Sequence, residues 1–248
     1  MASLLEEFEI HNISQPLFSI GGHPVAFTNS ALCMFLAIIG STILMVVAMR
    51  PEAVVPGRWQ MLAEKAYDLV ADMVDGAAGE KARPFFPFIF TIFMFVLFSN
   101  MLGMLPYTFT VTSHVIVNLA IALTLFTIII ITGFVRHGLH FFQLFIPKGV
   151  PLLMVPPMVV IEFFSFAVRP FSLSVRLFAN MLAGHILLQV FAGMVISLLA
   201  AGWLAGLSIL PMVANIAITG FEFFIAFLQA YIYAILASVY LRDAIEMH

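Results

Sequence analysis

The chain has 248 residues, of which 63% are hydrophobic and 9% charged, and its mean hydropathy is +1.12. A soluble domain cannot hide that much apolar surface, so the composition excludes an ordinary water-soluble enzyme or binding module and indicates a protein whose solvent is lipid. The single cysteine, Cys33, excludes an intramolecular disulfide and a cysteine-rich metal site, whereas the formal net charge of −3 says little by itself. We expect no nucleic-acid partner.

The N-terminal segment, residues 1–24, contains Glu6, Glu7 and Glu9 but no lysine or arginine. Because it lacks the basic start and early apolar core of a cleaved signal peptide, we expect it to remain in the mature chain. The uncharged run at 25–49 follows it. About 20 apolar residues cover the hydrocarbon core of a bilayer, so residues 25–49 are predicted to form the first membrane pass.

Residues 50–84 differ from their surroundings because they carry many acidic and basic side chains. Within them, apolar residues recur at helical spacing opposite a charged face. The apolar face consists of Trp59, Leu62, Ala66, Leu69 and Met73. This pattern predicts an amphipathic helix over 57–77 at the membrane surface. A plain solvated connecting helix explains the pattern equally well.

The uncharged stretch at 85–135 is divided by Pro106 into two runs, each long enough to span a bilayer. It is predicted to form a helical hairpin with a short turn. His114 lies near the start of the second arm, four residues before Asn118. A histidine in the interfacial zone that bonds to a neighbour is the ordinary explanation for His114, and a place on an ion path is the alternative.

The stretch at 150–241 is predicted to form two helices that are too long for ordinary spans. The first, from Leu152 to Ala200, has 49 residues. As a helix it would extend roughly 70 Å, against a hydrocarbon core of roughly 30 Å. It must tilt steeply, lie partly in the membrane plane or break, for which Pro170 offers a site. Two adjacent overlong helices suggest a surface laid against a partner inside the bilayer.

The positions of the basic residues orient the chain. Eight of the ten lysines and arginines lie in the 50–84 segment, the 136–148 loop and the C-terminal tail. The positive-inside rule makes these regions cytoplasmic, with the N-terminus outside and the C-terminus inside. The predicted fold class is therefore all-α: one integral membrane domain over 1–248, with five passes, one amphipathic interfacial helix and two strongly tilted last helices.

Polar side chains share one face of the fourth pass, at steps of four and seven residues: Glu162, Arg169, Ser172, Arg176 and Asn180. His185 would lie roughly opposite Arg176 on a regular helix. An arginine at the centre of a membrane helix costs about 2.5 to 3.5 kcal/mol on insertion scales, so this face is a candidate functional site. The last pass repeats the pattern with Asn215, Glu222, Gln229 and Tyr233.

These groups divide by chemistry. Glu162, Glu222 and His185 can exchange protons near neutral pH, whereas an arginine stays charged because its pKa is above about 12. A fixed cation cannot relay a proton, but it can repel a free one and attract the proton-losing form of a carboxylate. The alternative is that Arg176 is only neutralised by Glu162 or Glu222 in a structural buried pair.

Two segments carry a specific resemblance: SLSVRLFANMLAGH at 172–185 and FLQAYIYAILASVYL at 227–241. In this order and topology they resemble the signature segments of subunit a of F-type ATP synthases, the membrane stator that faces the rotating c-ring. The resemblance implies a lipid-embedded chain whose partners are the c-ring, peripheral-stalk b-type subunits and the rest of the complex. It implies no catalytic residue, no cofactor and no metal.

By that resemblance Arg176 matches the essential arginine that meets the c-ring carboxylate and separates two offset half-channels. Asn180 and Gln229 match polar neighbours that face the ring. His185 and Glu222 match an acid and histidine pair that other members carry in the exchanged arrangement.

The remaining candidates match family positions of less certain role or are supporting polar groups: Glu162, Arg169, Ser172, Asn215, Tyr233 and His114. The implied function is a non-catalytic proton-translocating subunit of a rotary ATP synthase. Protons would enter from outside past Glu222 and His185, load a ring carboxylate and leave on the cytoplasmic side past Glu162. Since the chain has no transit sequence, we expect a bacterial inner membrane rather than a mitochondrial one.

A self-contained transporter and a membrane metalloenzyme are the two alternative functions. A self-contained ion-coupled transporter is expected to show internal repeats with paired broken helices, whereas this sequence has one polar cluster. A membrane enzyme with a histidine metal site needs clustered ligands, whereas His114, His137, His140 and His185 are scattered over different segments.

Overall fold

A computed structural model of the chain describes residues 10–13, 15, 18–20, 23–48, 50, 56–105, 108–138, 140–141, 154–203 and 205–245. Its helices are α1 (Asn29–Ala48), α2 (Arg58–Ala78), α3 (Phe86–Gly103), α4 (Val115–His137), α5 (Val155–Ala200) and α6 (Ile209–Ile245). All of them except α2 are long and apolar enough to cross a membrane, which makes five candidate spans in the described part. The predicted class of a polytopic helical membrane protein is confirmed.

A short antiparallel hairpin precedes α1 and was not predicted. It pairs β1 (Phe18–Ile20) with β2 (His23–Val25). The chain around it is held to the start of α1, because the Asn29 side-chain oxygen accepts a hydrogen bond from the His11 amide at 3.2 Å. Thr28 Oγ1 accepts from the amide of Ala31, as an N-cap does. Strands of three residues are too short to produce a hydropathy pattern.

Hydroxyl groups inside the spans bond to their own helices. Thr91, Thr124 and Thr132 each donate to the carbonyl oxygen four residues earlier, at 2.7 to 2.8 Å. In lipid there is no water to satisfy these groups, so local bonds of this kind let a polar residue lie in an apolar helix.

The connection between α3 and α4 differs from the predicted short turn. Because α3 ends at Gly103 and α4 begins at Val115, it covers residues 104–114, of which 106 and 107 lie outside the described part. It contains a 3-10 turn at Val111–Ser113, and residues 109–113 are buried. The Thr108 hydroxyl lies within hydrogen-bond distance of the backbone carbonyl oxygens of Leu102 and Leu105 and shares its one proton between them. Such bonds supply partners that a helix would otherwise have provided.

The amphipathic helix is present as α2, and most of the residues that it buries against the rest of the chain lie outside the predicted apolar face. The buried residues are Ala63, Val70, Met73, Val74 and Ala78. Of the predicted face only Met73 is among them, and Trp59 is 70% exposed. The apolar face predicted for the membrane surface is thus mostly not buried against the chain, and its place at a membrane stays a prediction.

The charged end of α2 is fixed by one ion pair. Arg83 donates two hydrogen bonds to Asp75, at 3.0 and 3.1 Å. The guanidinium holds the pKa of the Asp75 carboxyl below its ordinary value. Gly79, whose φ is 72°, ends the helix between them in a conformation that favours glycine.

The fourth predicted pass does not break. α5 is one helix of 46 residues, and Pro170 lies inside it without ending it. At about 1.5 Å per residue its length is more than twice the roughly 30 Å of a hydrocarbon core, so the excess length that the sequence predicts is present. α6 has 37 residues and begins after a 3-10 turn at Ala205–Ser208. Lys148 and the other residues from 142 to 153 lie outside the described part.

The chain forms two compact units. The first unit comprises residues 1–42, 95–114 and 177–229, and the second comprises 43–94, 115–176 and 230–248. Both long helices contribute to both units, since α5 divides after Arg176 and α6 divides after Gln229.

Candidate functional site

Glu222 is a buried carboxylate in the first unit. It lies on α6 with 8% exposure, and its Oε2 atom has no hydrogen-bond partner among the described residues. Its side chain lies directly over Gly184 of α5. A Cβ atom at residue 184 would overlap Glu222 Oε1 and lie 2.8 Å from Cδ. The glycine therefore provides the space that the carboxylate occupies.

His185 follows Gly184 on α5 and bonds to the connection between α3 and α4. Its Nε2 atom lies 3.1 Å from Thr110 Oγ1. Thr110 Oγ1 also donates to the carbonyl oxygen of Gly103 at 3.0 Å. Within this unit the acid and the histidine thus occupy neighbouring places, Glu222 against residue 184 and His185 next along the chain.

Further buried polar atoms of the first unit have no hydrogen-bond partner among the described residues: Ser99 Oγ, Asn100 Oδ1, His114 Nε2, Asn215 Oδ1 and Gln229 Oε1. His114 stacks on Phe109 with ring centroids 5.2 Å apart, and it precedes α4 rather than lying on it. Unpartnered buried polar atoms in apolar surroundings are typical places for ordered water.

Sequence reasoning missed Asn100 and Thr110. Asn100 donates to the carbonyl oxygen of Ala226 on α6 at 3.1 Å. The Ser99 and Asn100 pair, polar within the otherwise apolar α3, was the feature that could have revealed it. Nothing in the sequence pattern distinguishes Thr110 from the other hydroxyl residues between 108 and 113.

The α6 side chains divide into a polar set turned into the chain and an aromatic set left outward. Gln229 is only 3% exposed, and the expectation that it faces a ring together with Asn180 stays a prediction. Asn180 is half-buried. α6 turns Glu222, Gln229 and Tyr233 into the chain and leaves its phenylalanines, such as Phe221 and Phe224, outward. Because lipid cannot hydrogen-bond to polar side chains, α6 buries its polar side and leaves its apolar side outward.

Arg169 is the paired cation of the second unit. Its Nη2 atom lies 3.5 Å from Glu162 Oε1. Its guanidinium carbon lies 4.9 Å from the centroid of the Tyr240 ring and 5.6 Å from that of Phe166. A carboxylate and two aromatic rings therefore share this charge.

Arg176, seven residues further along α5, differs from Arg169. Its side chain is exposed, and no hydrogen bond or ion pair joins it to any residue that the structure describes. Glu162 pairs with Arg169, and Glu222 has no ion pair in the described part. The alternative that Arg176 is neutralised in a structural pair thus has no support in the described residues. Ser172 is exposed one turn earlier, whereas Ser174 is buried.

The remaining candidates are Tyr233 and the histidines weighed for a metal site. Tyr233 is fully buried on α6, and its hydroxyl has no partner among the described residues. Ring nitrogen Nε2 of His137 lies 3.0 Å from the carbonyl oxygen of Ile245, at the end of α6. No group of three histidine, cysteine, aspartate or glutamate side chains in the described part could hold a metal ion, so the histidine metal site finds no support there.

Comparison with known proteins identifies the family. The sequence model described as "ATP synthase A chain" matches residues 30–242. The chain is similar to "ATP synthase subunit a" of Pelagibacter ubique, at 45% identity over 98% of both chains. It is 49% identical to that of Mesorhizobium japonicum, over 96% of this chain and 95% of the relative. It is 50% identical to that of Rhizobium rhizogenes, over 92% and 91%. The chain belongs to the ATP synthase subunit a family.

Proposed function

We propose that this chain is the non-catalytic, proton-translocating stator subunit of a rotary ATP synthase, in which Arg176 keeps two half-channels apart and meets the carboxylates of a c-ring. One observation carries the proposal: Arg176 is exposed on an apolar helix and makes no hydrogen bond or ion pair with the described residues. A fixed charge in lipid is costly unless another group compensates it. An acidic group on a neighbouring subunit inside the bilayer supplies that compensation.

The first unit has the composition of a path by which protons reach the ring. Glu222 and His185 can each take up and release a proton, and they occupy neighbouring places. Unpartnered oxygens of Asn100, Asn215 and Gln229 lie buried in the same unit. Water bound by such atoms would link the titratable groups to solvent. We assign the inlet to this unit because it also contains the N-terminus, which the positive-inside rule puts outside.

The second unit carries the outlet in this proposal. Glu162 lies on α5 in the unit that contains the described basic segments and the C-terminal end of α6. These regions are cytoplasmic by the positive-inside rule. A proton released from the ring would pass Glu162, whose bond to Arg169 is long at 3.5 Å and whose side chain is 41% exposed. The Glu162 carboxylate can therefore still exchange protons with water.

These roles imply the membrane and the partner subunits of the chain. The chain would lie in a bacterial inner membrane with the c-ring against the exposed face of α5. The peripheral-stalk b-type subunits and the rest of the complex would be its other partners. The exposed Trp59 on α2 suits a helix lying in the membrane interface, where aromatic rings are favoured.

The test is substitution of Arg176 in the assembled complex. Arg176→Ala should abolish ATP synthesis driven by a proton gradient in inverted membrane vesicles, because nothing then bars the two paths from each other. Arg58→Ala, which removes an exposed arginine outside the spans, is the matched control and should leave the rate unchanged. Co-purification with a multi-copy proteolipid shows assembly of each variant. Undiminished synthesis by Arg176→Ala contradicts the role, and purification without a proteolipid favours a self-contained transporter.

A further inference from the structure

Thr110 is a buried hydroxyl with two partners. It lies in the connection between α3 and α4 and is 4% exposed. Its Oγ1 atom is 3.0 Å from the carbonyl oxygen of Gly103 and 3.1 Å from His185 Nε2. Thr110 can approach residue 103 closely because that residue is a glycine. A Cβ atom there would lie 2.7 Å from Thr110 Cγ2.

The number of protons available fixes the direction of both bonds. A threonine hydroxyl has one proton to donate, and a carbonyl oxygen can only accept. The proton of Thr110 therefore goes to Gly103, and the hydroxyl oxygen accepts from His185. It follows that Nε2 carries the proton of the neutral imidazole, which leaves Nδ1 as the basic atom.

We propose that Thr110 is a positioning residue that holds His185 as its Nε2–H tautomer, so that Nδ1 alone exchanges the translocated proton. This inference rests on the proposed function, because it assumes that His185 lies on the proton path. The bond from Nε2 persists whether the ring is neutral or charged. The His185 imidazole thus keeps one orientation through the cycle, so the proton is always exchanged at Nδ1.

Few other titratable groups can act on this ring. On the described parts of α5, α6 and the connection within the first unit, they are Glu222 and His114. Glu222 lies over Gly184, next to His185 in the chain, and its Oε2 has no partner among the described residues. A carboxylic acid in that place is the natural donor to, or acceptor from, Nδ1.

The experiment compares variants in vesicles that contain the complete ATP synthase, with the proton-driven rate measured across about pH 6 to 9. Thr110→Val keeps the shape of the side chain and removes the hydroxyl. We expect it to lower the rate about three- to tenfold, the worth of one hydrogen bond, and to change the pH profile. Thr110→Ser keeps the hydroxyl and should restore both the rate and the profile.

A matched control removes a different hydroxyl from the same turn. Ser113 Oγ donates to the carbonyl oxygen of Thr110 at 2.7 Å and makes no bond to His185. Ser113→Ala should leave the pH profile unchanged. Gly103→Ala is a second route, since its Cβ would displace Thr110 without removing the hydroxyl, and it should alter the profile as Thr110→Val does.

The outcomes separate this inference from the proposed function. A normal rate and profile in Thr110→Val overturn the inference. Lower rates in both Thr110→Val and Ser113→Ala, with unchanged profiles, show a merely structural role and also overturn it. His185→Ala is measured beside them. If that variant keeps a normal rate, His185 is not on the proton path, and the proposed function fails at that residue independently of Thr110.

Discussion

The two units differ in the kind of charge they hold. Among the described residues of the first unit, Glu222 is the only aspartate, glutamate, lysine or arginine. All described lysines and arginines lie in the second unit, including Arg169 and Arg176. The first unit instead contains amides, hydroxyls and histidines, and several of their buried polar atoms have no partner in the described part. A titratable acid among neutral polar groups can relay a proton, whereas a fixed cation such as Arg176 can only repel one.

The comparison also distinguishes the two arginines of one helix. Arg169 is compensated within its unit by Glu162 and two aromatic rings. Arg176 is left outward and unpaired in the described part. Under the proposed function, Arg169 is neutralised within the chain, and Arg176 is left to bind an acidic group of a partner.

Among the remaining variants, we expect the largest effect from removing the carboxylic acid of Glu222. Glu222→Gln keeps the volume of the side chain but cannot take up or release a proton, so it should slow proton-driven ATP synthesis at least about tenfold while the complex assembles. Glu64→Gln, a change of the same kind on α2, should have no effect. A normal rate in Glu222→Gln would remove the acid from the path and end the distinction between the units.

A smaller effect is expected when the acid is displaced rather than removed. Gly184→Ala would place a methyl group where Glu222 Oε1 lies, so the carboxylate must move or the helices must separate. We expect a loss of about threefold to tenfold in the rate, with destabilisation of about 1 to 3 kcal/mol. Gly193→Ala, which meets nothing within 4 Å, is the control on the same helix. Equal behaviour of the two variants would show that Gly184 does not position the acid.

The smallest effect is expected from the ion pair at the end of α2, which lies in the second unit but outside the proton path. The pKa of Asp75 is lowered in the fold by Arg83, so the pair stabilises the fold above the ordinary Asp pKa and loses this contribution as the pH falls through the lowered value. Both side chains are exposed, so the contribution is small. Asp75→Asn should leave ATP synthesis unchanged and shift the melting temperature of the purified complex little at neutral pH. A loss of synthesis would extend the functional part of the second unit to α2.

Hydropathy predicted the spans because it is a local property of the sequence. The five candidate spans, the excess length of α5 and α6 and the grouping of Glu222, Gln229 and Tyr233 on one face of α6 all follow from composition and helical period. What failed depends on contacts between elements. The long connection before Val115, with residues 109–113 buried, is set by which elements pack together. The bond from Thr110 to His185 joins residues 75 positions apart, which no local pattern encodes.

The central claim is that the face of α5 bearing Arg176 meets an acidic partner subunit, and disulfide cross-linking tests it most directly. Two serines of the same helix form a matched pair, since Ser172 is exposed one turn before Arg176 and Ser174 is 1% exposed. Each is changed to cysteine in a Cys33→Ala background, together with a cysteine beside the membrane carboxylate of the c-subunit. The account predicts a cross-link to the c-subunit from Ser172→Cys and none from Ser174→Cys. A cross-link from Ser174→Cys alone, or none from either variant in an assembled complex, would contradict it.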